Sequence, residues 1–333
     1  MAQPGRHDEV LTRITEVILG ARAELTREEA AAAAGTTVEE ARRFWRAMGF
    51  PDVGGRAAFT SRDVDALRQL MEWIDSGLFD QARALEVVRG LGQSTSRLAD
   101  WQVSTMARVL AESSQPVELD EVVDGLAEMM PGLEALLVHA WRRHLAAVIG
   151  RGLEVTEDDP APEVSVATVG FADIAGFTRL VRILADEELA SMVESFETGA
   201  ADVVAAHGAR LVKTLGDEVM FVTDDADGAV RIASGMHGLG RDRRSSALHL
   251  RIGLATGRLV SVMGDYYGDT VNRASRLTAI AKPGETLMDP ATEQALTKDS
   301  SYVVRHRRPR ALRGLGLVRA ASVLPRAEHV PSR

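Results

Sequence analysis

Apolar residues recur at three-and-four spacing from Glu9 to about Gly150, then in β-branched runs that alternate with helical stretches. The chain therefore reads as an all-helical half followed by a mixed half. In the first half Val64, Leu67, Leu70, Met71 and Ile74 form one helical stripe. Thr26 before Arg27-Glu28-Glu29, and Thr36 or Thr37 before Glu39-Glu40, are expected N-terminal caps with acidic first turns. Pro116 and Pro131 are expected to mark later breaks. The acid- and proline-rich stretch from Thr156 to Glu163 has no apolar face to bury and cannot continue a helix. It is the expected linker, giving a helical domain over 1–155, a linker over 156–163 and a second domain over 164–333.

In that second domain strands are expected near 164–172, 209–214, 218–223, 249–262, 285–288 and 316–324, and helices near 186–206, 226–239 and 269–281. Gly216-Asp217 between two apolar strands predicts a tight hairpin. The expected fold class is α+β, with sheet and interleaved helices in layers.

Composition narrows the chemistry. The chain has 333 residues and no cysteine, so disulfides and thiolate metal sites are excluded; this fits a reducing, cytoplasmic setting. No apolar run approaches the ~20 residues of a membrane span, so no transmembrane segment is expected. Net charge is −9, and residues 1–150 hold 16 Arg and no Lys against 23 acids, a balance of −7 that argues against nucleic-acid binding there. The stretch LTREEAAAAAGTTVEEARRFWRAMGF nonetheless resembles a helix-turn-helix of MerR-like regulators. Its apolar Phe44, Trp45, Met48 and Phe50 are expected to make a protein-facing helix rather than a DNA reader.

Three segments carry candidate chemistry. FADIAGFTRL places Asp173 at the end of a buried run before a Gly176 turn, and LVKTLGDEVMFV places Asp217 at the hairpin tip. Two carboxylates at loop tips suit a hard divalent cation that also meets substrate phosphates. Taken singly, Asp173 reads equally as a helix cap and Asp217 as a turn former. Only three lysines occur, Lys213, Lys282 and Lys298. The ammonium of Lys213 with the carboxylate of Asp265 would complement adenine, which offers an acceptor at N1 and a donor at its amino group. In GDYYGDTVNRASRL, Asn272 and Arg276 are four apart on one helix face, where they could hold a ribose and neutralise charge growing on a phosphate.

These segments, in this order and over about 164–324, resemble the signature of class III adenylate and guanylate cyclases. The resemblance implies a ferredoxin-like sheet with helices on one face and a homodimer with two shared active sites. It assigns Asp173, Ile174 and Asp217 to the site of two divalent cations, Mg²⁺ or Mn²⁺. It assigns Lys213 and Asp265 to adenine selection, hence ATP as substrate, and Asn272 and Arg276 to the transition state. One chain would supply the metal acids and its partner the other four residues. Diguanylate cyclases read GGDEF at the hairpin; here Leu215 and Val219 replace the first glycine and the phenylalanine, and the NRASR helix has no counterpart there. A scaffold that keeps a dead cyclase domain is the reading from another class, which the intact set of six opposes. The layout resembles autoregulated actinobacterial cyclases, implying a regulatory N-terminal half whose effector is a proton or a lipid. His139 and His144, just before the linker, are the candidate pH switch, because imidazole charge changes at about pH 6 to 7.

Overall fold

The computed structural model describes residues 4–112, 119–153, 164–239, 248–262, 264–297, 302–312 and 316–325. The chain forms two compact units, Met1–Glu154 and Val155–Arg333. The expected linker at 156–163 and the expected break at Pro116 lie outside the described residues.

The first unit is helical: α1 (Pro4–Leu19), α2 (Arg27–Ala34), α3 (Val38–Ala47), α4 (Ser61–Asp75), α5 (Gln81–Glu112) and α6 (Leu119–Leu153). Capping boxes start three of them. Thr26 and Glu29 close α2, Thr37 rather than Thr36 closes α3 with Glu40, and Thr60 closes α4 with Asp63. Each box satisfies two backbone N–H groups that a helix start leaves without partners. Thr60 is buried and its hydroxyl meets the Asp63 amide at 3.2 Å. Thr60→Ala should therefore lower the unfolding free energy of this unit by about 1 kcal/mol, read by denaturant titration.

The stripe on α4 packs as expected, with Val64, Leu67 and Leu70 buried and Met71 and Ile74 partly so. Two other expectations fail. Phe44 and Trp45 do not face a partner but fill the unit's own core, where Trp45 stacks on Phe59 with ring centroids 4.1 Å apart. The extra burial comes from the return of the chain after α3, because Leu25 and Phe59 pair in a short β-bridge that brings Phe59 over the indole. Pro131 lies inside α6 and does not break it. A proline removes one intrahelical hydrogen bond and crowds one carbonyl, and a 35-residue helix has enough other bonds to continue through it. Among the described residues no helix is long and apolar enough to cross a membrane.

The second unit is built on an eight-stranded sheet. Its strands are β1 (Val164–Ile174), β2 (Arg210–Leu215), β3 (Glu218–Thr223), β4 (Leu250–Val262), β5 (Asp265–Tyr267), β6 (Glu285–Met288), β7 (Tyr302–His306) and β10 (Ala321–Pro325), while β8 (Arg310–Leu312) and β9 (Gly316–Val318) form a separate ribbon. The order is β2-β3-β1-β4-β6-β10-β7, with β5 on β4, and among the described residues only the β4–β6 pair is parallel. The single strand expected at 316–324 is two, β9 and β10. At Arg319 and Ala320 the chain leaves the ladder, and the Ala320 carbonyl instead accepts from the Arg307 amide at 2.8 Å.

Helices are α7 (Phe177–Leu180), α8 (Asp186–Ala206), α9 (Ala226–Leu239), α10 (Asp269–Ile280) and α11 (Pro290–Ala295). They do not all lie on one face. Strand residues alternate in direction, so Ala172, Ile174, Phe221, Ile252 and Leu254 meet α8 and α9 while Val169, Phe171, Met220 and Ala255 meet α10 on the other side. Gly253 makes that second layer possible. A Cβ there would sit 2.3 Å from the Ala274 carbonyl oxygen and 2.4 Å from the Thr278 nitrogen, so α10 rests directly on β4.

Candidate active site

β1 is the centre of the site because it pairs on both sides. Near its C-terminal end Asp173 stands opposite Glu218 of β3 and opposite Arg251 of β4. The β2–β3 hairpin turns at Gly216, whose φ of 71° suits the first position of a primed two-residue turn. The turn is tied to β1, since the Ile174 amide donates to the Asp217 carbonyl at 2.9 Å. Asp173 is largely buried, and its carboxylate is ion-paired with the Arg251 guanidinium.

Burial pushes the Asp173 carboxyl above the usual range; Arg251 pulls it down, and the nearby Asp217 carboxylate adds to the rise. Glu218 feels the same crowding. Burial first, then the charges of Asp173 and Asp217, push it up to about 7, against weaker opposition from Arg251 and Lys213. Three acids thus share one end of the sheet. Glu218 and Arg251 escape sequence reading, because their place beside Asp173 comes from strand register, which the motif does not encode.

The second pair is in direct contact. Lys213 Nζ donates to Asp265 Oδ2 at 2.6 Å, joining β2 to β5 across 52 residues of sequence. The other Asp265 oxygen accepts from the Tyr266 amide at 2.8 Å, which fixes the carboxylate's orientation.

Asn272 and Arg276 lie one turn apart on the exposed side of α10. Its buried side, Thr270, Ala274, Leu277 and Thr278, anchors it to the sheet. Thr270 donates to the Arg258 carbonyl at 2.9 Å and Thr278 to the Phe171 carbonyl at 3.3 Å. Arg273 between them reaches Asp289 at 2.7 Å and also Asp269. Neither Asn272 nor Arg276 hydrogen-bonds either of the other two pairs among the described residues.

Asp173 and Asp217 suit a hard cation. They are oxygen donors, and their mutual repulsion within a partly buried site is relieved by added positive charge. Among the described residues no group of three or more Asp, Glu or His side chains forms a ready-made metal cage. Mg²⁺-type ions do not require one, because one or two carboxylates and substrate phosphates complete their coordination. Ile174, counted with this pair in the sequence, lies at the same strand end, with its amide on the Asp217 carbonyl.

Residues 160–322 match the family model described as the adenylate and guanylate cyclase catalytic domain. The chain is 44% identical over 300 residues to an adenylate cyclase of Streptomyces coelicolor, covering 89% of this chain and 78% of that protein. The chain belongs to the class III adenylate and guanylate cyclase family. Similarity extends beyond the cyclase domain: an adenylate cyclase of Glutamicibacter nicotianae is 33% identical over 90% of this chain and 78% of its own length. A Mycobacterium tuberculosis protein named as a pH-sensitive adenylate cyclase is 26% identical over 84% of this chain and 73% of its own. The six residues singled out in the sequence, Asp173, Lys213, Asp217, Asp265, Asn272 and Arg276, all lie inside the matched segment.

Proposed function

We propose that this cyclase converts ATP to 3′,5′-cyclic AMP and pyrophosphate at two equivalent sites of a homodimer, each site built from both chains. The observation that carries the reading is the Lys213–Asp265 contact at 2.6 Å, which sets a donor and an acceptor side by side as adenine requires. Guanine presents the opposite pattern at that edge. The names of the Streptomyces and Glutamicibacter relatives support the same substrate.

In this reading Asp265 accepts from the adenine amino group and Lys213 donates to N1. Asn272 holds the ribose, and Arg276 neutralises charge that grows on the α-phosphate as the 3′-oxygen attacks and pyrophosphate leaves. Asp173 and Asp217, with Ile174 beside them, hold two divalent cations, Mg²⁺ or Mn²⁺. When bound, these supply Lewis acidity to the 3′-oxygen and to the phosphates. Asn272 and Arg276 are exposed and, among the described residues, make no hydrogen bond to Asp173 or Asp217, which favours a partner's site as their destination. The test is to incubate the purified full chain with ATP or GTP and each metal and to separate the cyclic products. Cyclic AMP is expected, and a strict preference for GTP would sink the reading.

The helical unit, 1–155, is the proposed regulator, with a proton or a lipid as effector. His139 and His144 are exposed on α6 beside Arg142 and Arg143, accessible to solvent protons. The pH-sensitive M. tuberculosis relative supports the proton. His139→Asn with His144→Asn should alter the pH–activity profile of the full chain. An unchanged profile would remove both histidines from the account.

A further inference from the structure

Between Tyr302 and Ala320 the sequence holds six arginines and no acid, in a chain whose net charge is −9. The fold does not spread these charges evenly. A cavity of about 380 Å³ opens at the end of α10, lined on its apolar side by Ile280, Leu287, Val318 and Ala320. Its polar side is made by Lys282, Arg307, Arg308 and Arg310, with His306 beside them. Glu285 is the one acid in the lining, and it is already ion-paired with Arg307. His306 meets Glu293 at 2.9 Å. Lys282, Arg308 and Arg310 have no carboxylate partner among the described residues, so their positive charge is uncompensated.

We propose that this cavity binds a small organic phosphate, with the phosphate against Arg308, Arg310 and Lys282 and the apolar body on Leu287 and Val318. Planar guanidinium groups match phosphate oxygens two at a time, and a lysine adds a compact charge. The volume lies within the range of small-ligand pockets, and apolar walls with a few convergent polar groups are their usual lining. Carboxylate ligands would be held less tightly by three cations than a doubly charged phosphate. The site is separate from the six cyclase positions, none of which lines it, so it stands whether or not the ATP reading does.

The test is calorimetric titration of the full chain with phenyl phosphate in EDTA, which keeps divalent cations out of the cyclase site. Saturable binding is expected, weakening roughly tenfold for each cation removed in Arg308→Gln and Arg310→Gln. Both side chains are exposed, so the variants should fold and form cyclic AMP at the wild-type rate. Arg305→Gln lies in the same basic segment but outside the cavity, and it should leave binding unchanged. Inorganic phosphate should bind more weakly than phenyl phosphate, for want of an apolar body. The proposal is overturned by an absence of saturable binding, by equal weakening in Arg305→Gln, or by equal affinity for inorganic phosphate. Binding confined to phosphatidylglycerol vesicles would also overturn it, since it would assign the charge to a lipid surface.

Discussion

Asp173→Asn and Asp217→Asn should each lower cyclic AMP formation by about 10³-fold, near the upper end of what the loss of one preorganised electrostatic group costs. Asparagine keeps the shape and one acceptor oxygen, so the Arg251 side chain still has a partner and the sheet should stay folded, as far-UV circular dichroism would verify. What is lost is negative charge. Asp173 and Asp217 crowd each other at one end of the sheet, and a divalent cation would relieve the repulsion that remains after the Arg251 ion pair. Activity within tenfold of wild type in either variant would mean that the pair is structural.

The hairpin and the placing of Asp173 and Asp217 at element ends were legible because both acids sit where apolar runs stop, and hydrophobic period marks such ends well. Lys213 and Asp265 were paired in the sequence by their complementarity to adenine, but nothing there placed the two side chains in contact with each other. Their 52-residue separation and the three-residue β5 that carries Asp265 leave no periodic signal. Short elements escaped generally: α7 has four residues, β8 has three and α11 has six, all shorter than a reliable pattern. Phe44 and Trp45 were misplaced for a different reason. Amphipathicity tells that a face is covered but not by what, and here Phe59 covers it from within the same unit. The second helical layer was hidden because its cause is a missing side chain at Gly253.

That glycine gives the second large effect. Gly253→Ala should destabilise the cyclase unit by roughly 3 kcal/mol, at the upper end of overpacking costs, and lower its melting temperature by about 10 °C. The atoms a Cβ would strike belong to the α10 backbone, at Ala274 and Thr278, so no rotamer change can relieve the clash. α10 must lift, and it carries Asn272 and Arg276, so activity should fall as well even below the melting transition. Gly257→Ala is the milder comparison. Its Cβ would meet the Thr270 hydroxyl at 2.6 Å, a side-chain atom that can rotate away at the cost of its bond to the Arg258 carbonyl. If differential scanning fluorimetry gave equal shifts for both variants, the close seating of α10 on β4 would not be what holds the second layer.

The shared site is tested most directly by mixing two inactive chains. Asp173→Asn supplies intact Lys213, Asp265, Asn272 and Arg276, and Arg276→Ala supplies intact Asp173 and Asp217. Each variant alone should form almost no cyclic AMP. After equimolar mixing and subunit exchange, half of the dimers carry one of each chain and each of those holds one complete site, so activity should return to roughly a quarter of wild type. Failure of the mixture to recover activity, with exchange verified by a size or affinity tag on one chain, would contradict a site built from two copies.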